Sequence, residues 1–320
     1  MKSRVLGSSG LTTSAVGLGC LGMSGMYGRA DEAESIRTIH RAADLGVTLL
    51  DTSDVYGAGE NEVLVGKAIK DRREDYLITT KFGVVPAVEG NPGRYDGSPT
   101  FIRESCDASL RRLGVETIDL YLQHRLDPNV PVEDSIGTLT ELVDEGKVRF
   151  IGLSDAAPEI LRRANAVHPI SVLQSEYSLA ERGVEDNILD VCEELGIGFM
   201  AFSPLCRGLL TGQLLDTTTL DDGDVRKTNH FPRVGPAFLE SNATKLDSLR
   251  DVATRHDTSL AQIALAWLLA QRKWVVPIPG ARTVDELMSN AAAVDITLSD
   301  ADLASLDGVA ASIDGERVRR

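Results

Sequence analysis

Four side chains that can hold or move a proton stand near the ends of three apolar, β-branched runs in this sequence. Asp51 ends the run LLD, and Tyr56 follows shortly after it, directly before a glycine. Lys81 ends LITTK, and His124 ends LYLQH. Because the carboxyl ends of successive parallel strands meet at one mouth of a barrel, we expect the four side chains to lie together.

Each of these residues also has an ordinary structural explanation. An aspartate at a strand end often caps a turn, a tyrosine before glycine can be a surface aromatic, and a lone histidine is often a hydrogen-bonded structural residue. Lys81 is harder to explain in this way, because a buried ammonium without a partner is costly, and Asp51 would supply that partner. The coincidence of all four at successive strand ends favours a catalytic group.

A group of this kind suits the reduction of a carbonyl. Hydride arriving at the carbonyl carbon builds negative charge on the oxygen, so a proton donor must stand within hydrogen-bond reach. We expect Tyr56 to be that donor, with Lys81 lowering the pKa of its phenol and Asp51 keeping Lys81 charged. His124 would hydrogen-bond the carbonyl oxygen. None of these side chains can donate a hydride, so a nicotinamide cofactor is required.

The elements that must position these residues are eight short apolar runs that alternate with amphipathic stretches, after an N-terminal hairpin around GSSG. The predicted strands are 15–19, 48–51, 76–81, 118–124, 150–154, 172–176, 198–202 and 275–277. The alternation indicates either a parallel barrel or a doubly wound open sheet. Polar residues at the ends of many different strands favour the barrel, and the glycines of GLGCLGMSG do not open a helix directly, as a dinucleotide-binding turn would.

The remaining patterns complete the expected architecture. Amphipathic spacing predicts helices over 32–45 and 133–144, with a further pair over 239–256 and 260–271. Two long polar or Gly/Pro-rich insertions, 84–98 and 207–236, are typical of functional loops. We therefore predict an α/β protein with a (β/α)₈ barrel, an N-terminal β-hairpin, long βα loops and extra C-terminal helices, forming one domain over residues 1–320.

Composition narrows the function further. Lysine and arginine number 33 against 48 aspartates and glutamates, a formal net charge of −15, which disfavours binding to nucleic acid. No apolar run is long enough to span a membrane and no signal peptide is indicated, so we expect a cytoplasmic protein. The four cysteines are far apart and the five histidines form no metal-binding spacing, so neither a disulfide framework nor a metal is expected. The pattern leaves the oligomeric state open.

The ordered series GLGC, DTSDVYG, ITTKFG, DLYLQH, LQSEYS and VVPIPGAR resembles the aldo-keto reductase superfamily, in particular its bacterial and plant members with extended loops. The resemblance covers nearly the whole chain. It implies an NADP-dependent oxidoreductase that reduces an aldehyde or ketone to an alcohol. It also implies that Asp51, Tyr56, Lys81 and His124 form the catalytic group.

The resemblance implies a set of cofactor-binding residues as well. Ser154, Asp155 and Gln174 would hold the nicotinamide carboxamide, and Phe202 would stack on the ring. The pyrophosphate and adenosine would be held by Ser203, Pro204, Leu205, Arg207, Gly208, Leu210, Gly280, Ala281, Arg282, Glu286 and Asn290. Glu286 departs from the family, which often has arginine there, and a carboxylate repels a 2′-phosphate. NADP(H) is therefore the expected cofactor, with NAD(H) as the alternative.

The substrate pocket is predicted only from position on the loops, which gives Met23, Tyr27, Val55, Phe82 and Arg125. Arg125 would either meet an anionic substrate or pair with Asp127. Two other functions remain open at this point. One is a regulatory subunit that binds NADP(H) and turns over slowly, and the other is a barrel lyase or isomerase with a different site.

Overall fold

A computed structural model of the chain describes residues 1–88, 92–228 and 230–317. Its strands are β1 Ser3–Leu6, β2 Leu11–Ser14, β3 Leu18–Gly19, β4 Leu49–Asp51, β5 Leu77–Phe82, β6 Val84–Val85, β7 Arg94–Tyr95, β8 Ile118–Gln123, β9 Val148–Ser154, β10 Val172–Glu176, β11 Gly198–Phe202 and β12 Val275–Pro277. All eight predicted barrel strands are confirmed, although the first is shorter than expected.

The eight strands β3, β4, β5, β8, β9, β10, β11 and β12 form one parallel sheet in that order. The sheet closes on itself, because the Gly17 amide donates to the Pro277 carbonyl at 2.9 Å and the Gly19 amide to the Pro279 carbonyl at 3.0 Å. With a helix between most neighbouring strands, this arrangement is a (β/α)₈ barrel and confirms the predicted fold class.

The helices are α1 Glu32–Asp44, α2 Glu60–Ile69, α3 Pro99–Leu113, α4 Val132–Asp144, α5 Pro158–Val167, α6 Ile188–Leu195, α7 Leu239–Ala243, α8 Asp247–Arg255, α9 Leu260–Gln271, α10 Val284–Ala292, α11 Asp300–Leu306 and α12 Val309–Ser312. In the described parts of the chain, no helix combines the length and apolar character needed to cross a membrane.

Two predicted segments differ from the structure. The helix expected over 239–256 is divided into α7 and α8, because the chain turns where the Lys245 amide donates to the Asn242 carbonyl at 3.0 Å. The buried side chain of Asn242 fixes this turn by donating to the carbonyls of Arg233 and Asp314. The insertion 84–98 contains the antiparallel pair β6 and β7 in its described residues, which its glycines and prolines did not indicate.

The N-terminal hairpin closes the bottom of the barrel. Leu6 and Leu11 from β1 and β2 join the interior cluster of strand side chains, which includes Leu120 and Met200. The contact is so close that a Cβ on Gly198 would lie 2.7 Å from the Leu6 backbone. A glycine is therefore required at the start of β11, and the opposite end of the barrel is left open for a site.

Candidate active site

Lys81 lies at the centre of the predicted catalytic group and has no exposed surface. Its Nζ donates to Asp51 Oδ2 at 2.8 Å, to the Thr52 carbonyl at 2.8 Å and to Tyr56 Oη at 3.3 Å. The strands bring these groups together because Asp51 ends β4 and Lys81 lies near the end of the adjacent β5. The ammonium is thus buried with three oxygen partners, which satisfies all of its donors.

Asp51 is fixed from its other side by Gln174. The Gln174 side-chain amide donates to Asp51 Oδ1 at 2.7 Å across the barrel, and both side chains are buried. A hydrogen-bonded chain therefore runs from Gln174 through Asp51 and Lys81 to the Tyr56 hydroxyl. Gln174, expected to hold a nicotinamide carboxamide, has its amide nitrogen engaged within the catalytic group.

The pKa of the Tyr56 phenol differs from the sequence-based expectation. Burial raises the pKa of Tyr56, and the charge of Asp51 adds to this, so that the opposing effect of Lys81 does not lower it overall. Burial alone would lower the pKa of Lys81, but Asp51 and Tyr56 raise it above its ordinary value. At neutral pH the site therefore holds a protonated phenol beside a charged ammonium.

His124 stands against the other side of Tyr56. The two rings meet edge to face, with centroids 6.1 Å apart. Burial, with the charges of Lys81 and Arg125, lowers the pKa of His124 well below its ordinary value, so the ring is neutral at physiological pH. Its Nδ1 lies 3.2 Å from Ser53 Oγ, and its Nε2 has no hydrogen-bond partner among the described residues.

The site opens into a cavity of about 980 Å³ at the carboxyl end of the barrel. Of the predicted residues, the following line it: Asp51, Tyr56, His124, Gln174, Phe202, Ser203, Pro204, Leu205, Arg207, Gly208, Gly280, Ala281, Arg282, Glu286, Asn290, Tyr27, Val55 and Arg125. Six others do not. Lys81, Ser154 and Asp155 lie behind the lining, where Lys81 contacts Asp51 and Tyr56, Ser154 contacts Arg125, and Asp155 contacts Arg125 and Arg317. Met23, Phe82 and Leu210 are buried in the hydrophobic core between the strands and helices. Their loop and strand-end positions are correct, but their side chains face away from the cavity.

Arg125 pairs with Asp155 and not with Asp127. Its guanidinium lies 3.3 Å from Asp155 Oδ2 and donates to Ser154 Oγ at 3.2 Å. Asp127 instead accepts from the backbone amides of Gly97 and Asn129, which explains why the expected pair does not form. The residues predicted to hold the carboxamide are thus in contact with an arginine from the neighbouring strand end.

A second arginine reaches the same place from the end of the described chain. Arg317 donates to Asp155 at 2.6 Å, lies 3.0 Å from a carboxylate oxygen of Glu176, and stands 5.6 Å from the centroid of the Phe202 ring. Arg317 therefore touches two of the residues that the family resemblance assigns to the nicotinamide. Asp155 itself has a left-handed backbone, with φ of 50°, which aims its carboxylate between the two guanidinium groups.

The segment after β11 has an unusual backbone. Ser203, Cys206, Arg207 and Gly208 all have positive φ, although only one of them is glycine. Arg207 is held by a bidentate pair with the buried Glu176, at 2.7 and 2.9 Å. Turns with left-handed residues can direct several backbone amides into one concave surface that suits an anion, and such strain is found mainly at functional sites.

The start of α10 forms the far wall of the cavity. The Arg282 side chain donates to the Tyr27 carbonyl at 2.8 Å, which ties the last loop of the barrel to the first. Glu286 accepts from the Arg282 amide at 2.7 Å, and its other oxygen lies 3.9 Å from the Arg282 guanidinium. Asn290 donates to the Gly280 carbonyl at 3.2 Å. Glu286 is therefore partly neutralised by the residue that would bind a phosphate.

Five residues in or beside the site were missed by sequence reasoning: Ser53, Thr52, Glu176, Arg317 and Asp54. Asp54 accepts a hydrogen bond from Ser53 Oγ at 3.1 Å. Only Glu176 carried a usable signal, because it ends the buried run VLQSE as the catalytic residues end theirs. Thr52 contributes a backbone carbonyl, which the residue type does not reveal. Arg317 is far from the other residues in sequence, and only the folded chain brings it to the cavity.

Comparisons with known proteins identify the family of the chain and structures that share its fold. The sequence profile of the Aldo/keto reductase family matches residues 15–311. A protein named probable aldo-keto reductase 1 from Glycine max is 43% identical over 301 residues, which cover 93% of this chain and 86% of that protein. The solved structure of a glycerol dehydrogenase from Gluconobacter oxydans is 31% identical, with a TM-score of 0.86 over 97% of this chain and 95% of its own. A thermostable aldo-keto reductase solved with the inhibitor epalrestat is 30% identical, with a TM-score of 0.77 over 97% of this chain and 100% of its own.

Proposed function

This chain belongs to the aldo/keto reductase family, and from that premise we propose that it reduces an aldehyde or ketone to the alcohol with NADPH, using Tyr56 as the proton donor. Membership of the family implies NAD(P)H-dependent carbonyl reduction in general. The preference for NADPH, the role of each residue and the action of residues 1–320 as a single barrel domain are our proposals.

The residues of the cavity suit a nicotinamide dinucleotide. Phe202 offers an aromatic face on the cavity wall, and ring stacking requires only that face. The left-handed turns around Arg207 suit a pyrophosphate, because backbone amides bind phosphate oxygens without adding charge. Arg282, just before α10, suits a 2′-phosphate. When bound, the nicotinamide supplies the hydride.

We assign the proton chemistry to the residues around Lys81. Tyr56 donates its proton to the carbonyl oxygen, and Lys81 stabilises the phenolate that is left, since its Nζ lies 3.3 Å from the phenol oxygen. Asp51 and Gln174 hold Lys81 in place and keep it charged. His124 hydrogen-bonds the carbonyl oxygen through Nε2, which has no partner among the described residues, and orients that oxygen.

The observation that carries this proposal is the hydrogen-bonded chain that ends on a tyrosine at the cavity wall. Its test is the oxidation of NADPH by the purified protein with a generic aldehyde, followed by the loss of the reduced cofactor's absorbance. A steady-state rate similar to the single-turnover rate of bound NADPH supports an enzyme. Fast, tight NADPH binding with negligible turnover of several aldehydes and ketones would instead support the regulatory subunit.

The cofactor preference is tested by changing the two charged residues at α10. We expect Arg282→Ala to weaken NADPH binding by about tenfold or more, because a charge-assisted hydrogen bond contributes about 1.5–3 kcal/mol. Binding of NADH, which lacks the 2′-phosphate, should change much less. Glu286→Gln keeps the acceptor for the Arg282 amide but removes the charge. It should strengthen NADPH binding by up to about fivefold, since exposed charges interact by up to about 1 kcal/mol.

Fluorescence titrations of the wild type and both variants with NADPH and NADH provide the measurement. For each protein we compare the ratio of the dissociation constants for NADPH and NADH. General damage to the site would weaken both cofactors and leave this ratio unchanged. If Arg282→Ala weakened both cofactors equally, the assignment of Arg282 to the 2′-phosphate would be wrong.

A further inference from the structure

We propose that Ser53 and Asp54 are positioning residues that determine which ring nitrogen of His124 carries its proton. They would thereby decide whether His124 can donate a hydrogen bond to the substrate oxygen. The inference deepens the proposed function, on which its catalytic consequence rests. The proton arrangement itself does not depend on that function.

The three side chains form a continuous line behind the cavity. Ser53 is completely buried, and its Oγ lies 3.2 Å from His124 Nδ1 and 3.1 Å from Asp54 Oδ1. His124 and Asp54 therefore share the hydroxyl of Ser53 as a hydrogen-bond partner. His124 Nε2, on the other side of the ring, has no partner in the part of the chain that the structure describes and is left for a ligand in the cavity.

The serine hydroxyl carries a single hydrogen, and that fact couples the two neighbours. When Asp54 is ionised, its carboxylate is the stronger acceptor and takes the Ser53 hydrogen, so His124 must donate to Ser53 from Nδ1. The neutral ring then has an unprotonated Nε2. When Asp54 is protonated, it donates to Ser53, Ser53 donates to Nδ1, and the ring proton is on Nε2.

The two arrangements differ by one proton, which is released when Asp54 ionises. With Asp54 protonated, Nε2–H is the donor that a carbonyl oxygen needs. With Asp54 ionised, Nε2 is an acceptor and cannot donate to the substrate oxygen. The Asp54–Ser53–His124 relay should therefore support reduction when Asp54 is protonated and slow it when Asp54 ionises.

The surroundings of Asp54 place its ionisation in the physiological range. Burial and the neighbouring Glu62 on α2 raise the pKa of Asp54 to about 7, against the opposing effects of the Ser53 hydroxyl and of Arg112 on α3. Glu62 is buried and accepts a hydrogen bond from Arg112 at 2.6 Å. Tyr121 on β8 also faces this group, as a protonated phenol.

His124 stays neutral while Asp54 titrates, which the relay requires. The charged groups that face the ring are Lys81 from β5 and Arg125 beside it, and together with burial they hold the pKa of His124 well below its ordinary value. A cationic ring would carry a proton on both nitrogens and could not respond to Ser53. Ionisation of Asp54 therefore moves the proton of the neutral His124 ring from Nε2 to Nδ1.

The tautomer can be observed directly by ¹⁵N NMR of histidine-labelled protein, without substrate or activity. For the His124 ring we expect the proton on Nε2 when Asp54 is protonated, about one pH unit below its pKa of about 7, and on Nδ1 about one unit above it. Asp54→Asn, whose amide can donate to Ser53 at any pH, should keep the proton on Nε2 throughout. Ser53→Ala should remove the pH dependence. A wild-type tautomer that does not change, or that changes equally in Ser53→Ala, would overturn the proposal.

Kinetics then tests the catalytic consequence separately. A group with a pKa of about 7 goes from about nine-tenths to about one-tenth protonated between about pH 6 and about pH 8, so the wild-type kcat for reduction should fall about tenfold. Asp54→Asn should keep its reductive rate over that range. Asp127→Asn, a nearby carboxylate bonded away from His124, is the matched control and should follow the wild type. If the tautomer changed with pH but Asp54→Asn had the wild-type kinetic profile, His124 would not act on the substrate oxygen, and that part of the proposal would be wrong.

Discussion

Replacing Tyr56 by phenylalanine is expected to lower the rate of carbonyl reduction by about 10²–10⁴-fold, the usual contribution of a positioned general acid. The phenol oxygen is the atom that Lys81 contacts at 3.3 Å, and without that oxygen the variant has no group there to protonate the substrate. Cofactor binding should be nearly unchanged, because the ring itself is retained. Single-turnover oxidation of bound NADPH is the appropriate measurement, since product release does not limit it.

The matched control for this variant is Tyr76→Phe. The Tyr76 hydroxyl donates to the Ile39 carbonyl at 2.9 Å and lies at the amino end of β5, away from the cavity. Its loss removes one buried hydrogen bond, worth about 1 kcal/mol of stability, but should leave the reductive rate intact. Equal rates for Tyr56→Phe and Tyr76→Phe would contradict the assignment of the proton donor.

Replacing Lys81 by methionine should cost both activity and stability. Without the ammonium, Tyr56 loses the charge that stabilises its phenolate, so reduction should be nearly abolished. Asp51, only 4% exposed, would remain as a buried charge held by Gln174 alone. Leaving one partner of a buried ion pair uncompensated typically destabilises a protein by about 3–5 kcal/mol.

A second substitution separates the two effects. In the double variant Lys81→Met with Asp51→Asn, the buried charge is gone, so chemical denaturation should show that most of the lost stability returns. Activity should not return, because the phenolate still lacks its cation. Recovery of the reductive rate in the double variant would mean that Lys81 acts only by supporting the fold.

The sequence predicted the barrel because its strand pattern is local. The eight apolar runs, their spacing and the glycines that end the intervening helices are all visible over windows of about ten residues. The division between α7 and α8 is not visible in such short windows. It depends on hydrogen bonds from Asn242 to Arg233 and to Asp314, which is far along the chain. Periodicity continues through that turn and therefore predicted one long helix.

The meeting of the candidate catalytic side chains was predictable for the same reason. Asp51, Lys81 and His124 end their strands, and barrel topology then brings strand ends together without further information. The pKa direction of Tyr56 was not predictable, because it depends on the depth of burial as well as on the neighbouring Lys81. The side-chain direction of Phe82 was predictable but not used, since alternate residues of β5 face opposite sides of the sheet and its neighbour Lys81 faces the interior.

The ion-pair partner of Arg125 could not be predicted from distance along the sequence. Asp127 is two residues away, yet its carboxylate is taken by backbone amides, whereas Asp155 at the end of the next strand is in contact. The Ser53 and Asp54 relay was missed because a Ser-Asp pair after a strand is also typical of a turn. Only the distance of 3.2 Å to His124 distinguishes the two roles.

The most direct test of the central claim follows the hydride itself. NADPH carrying deuterium at C4 of the nicotinamide, prepared separately on each face, is given to the protein with a generic aldehyde, and the alcohol is examined by mass spectrometry and NMR. We predict that one of the two labelled cofactors delivers deuterium to the carbinol carbon, with a slower rate under single-turnover conditions. Alcohol formed without deuterium from either cofactor, or no alcohol from any of several aldehydes and ketones, would contradict the assignment of this protein as a carbonyl reductase.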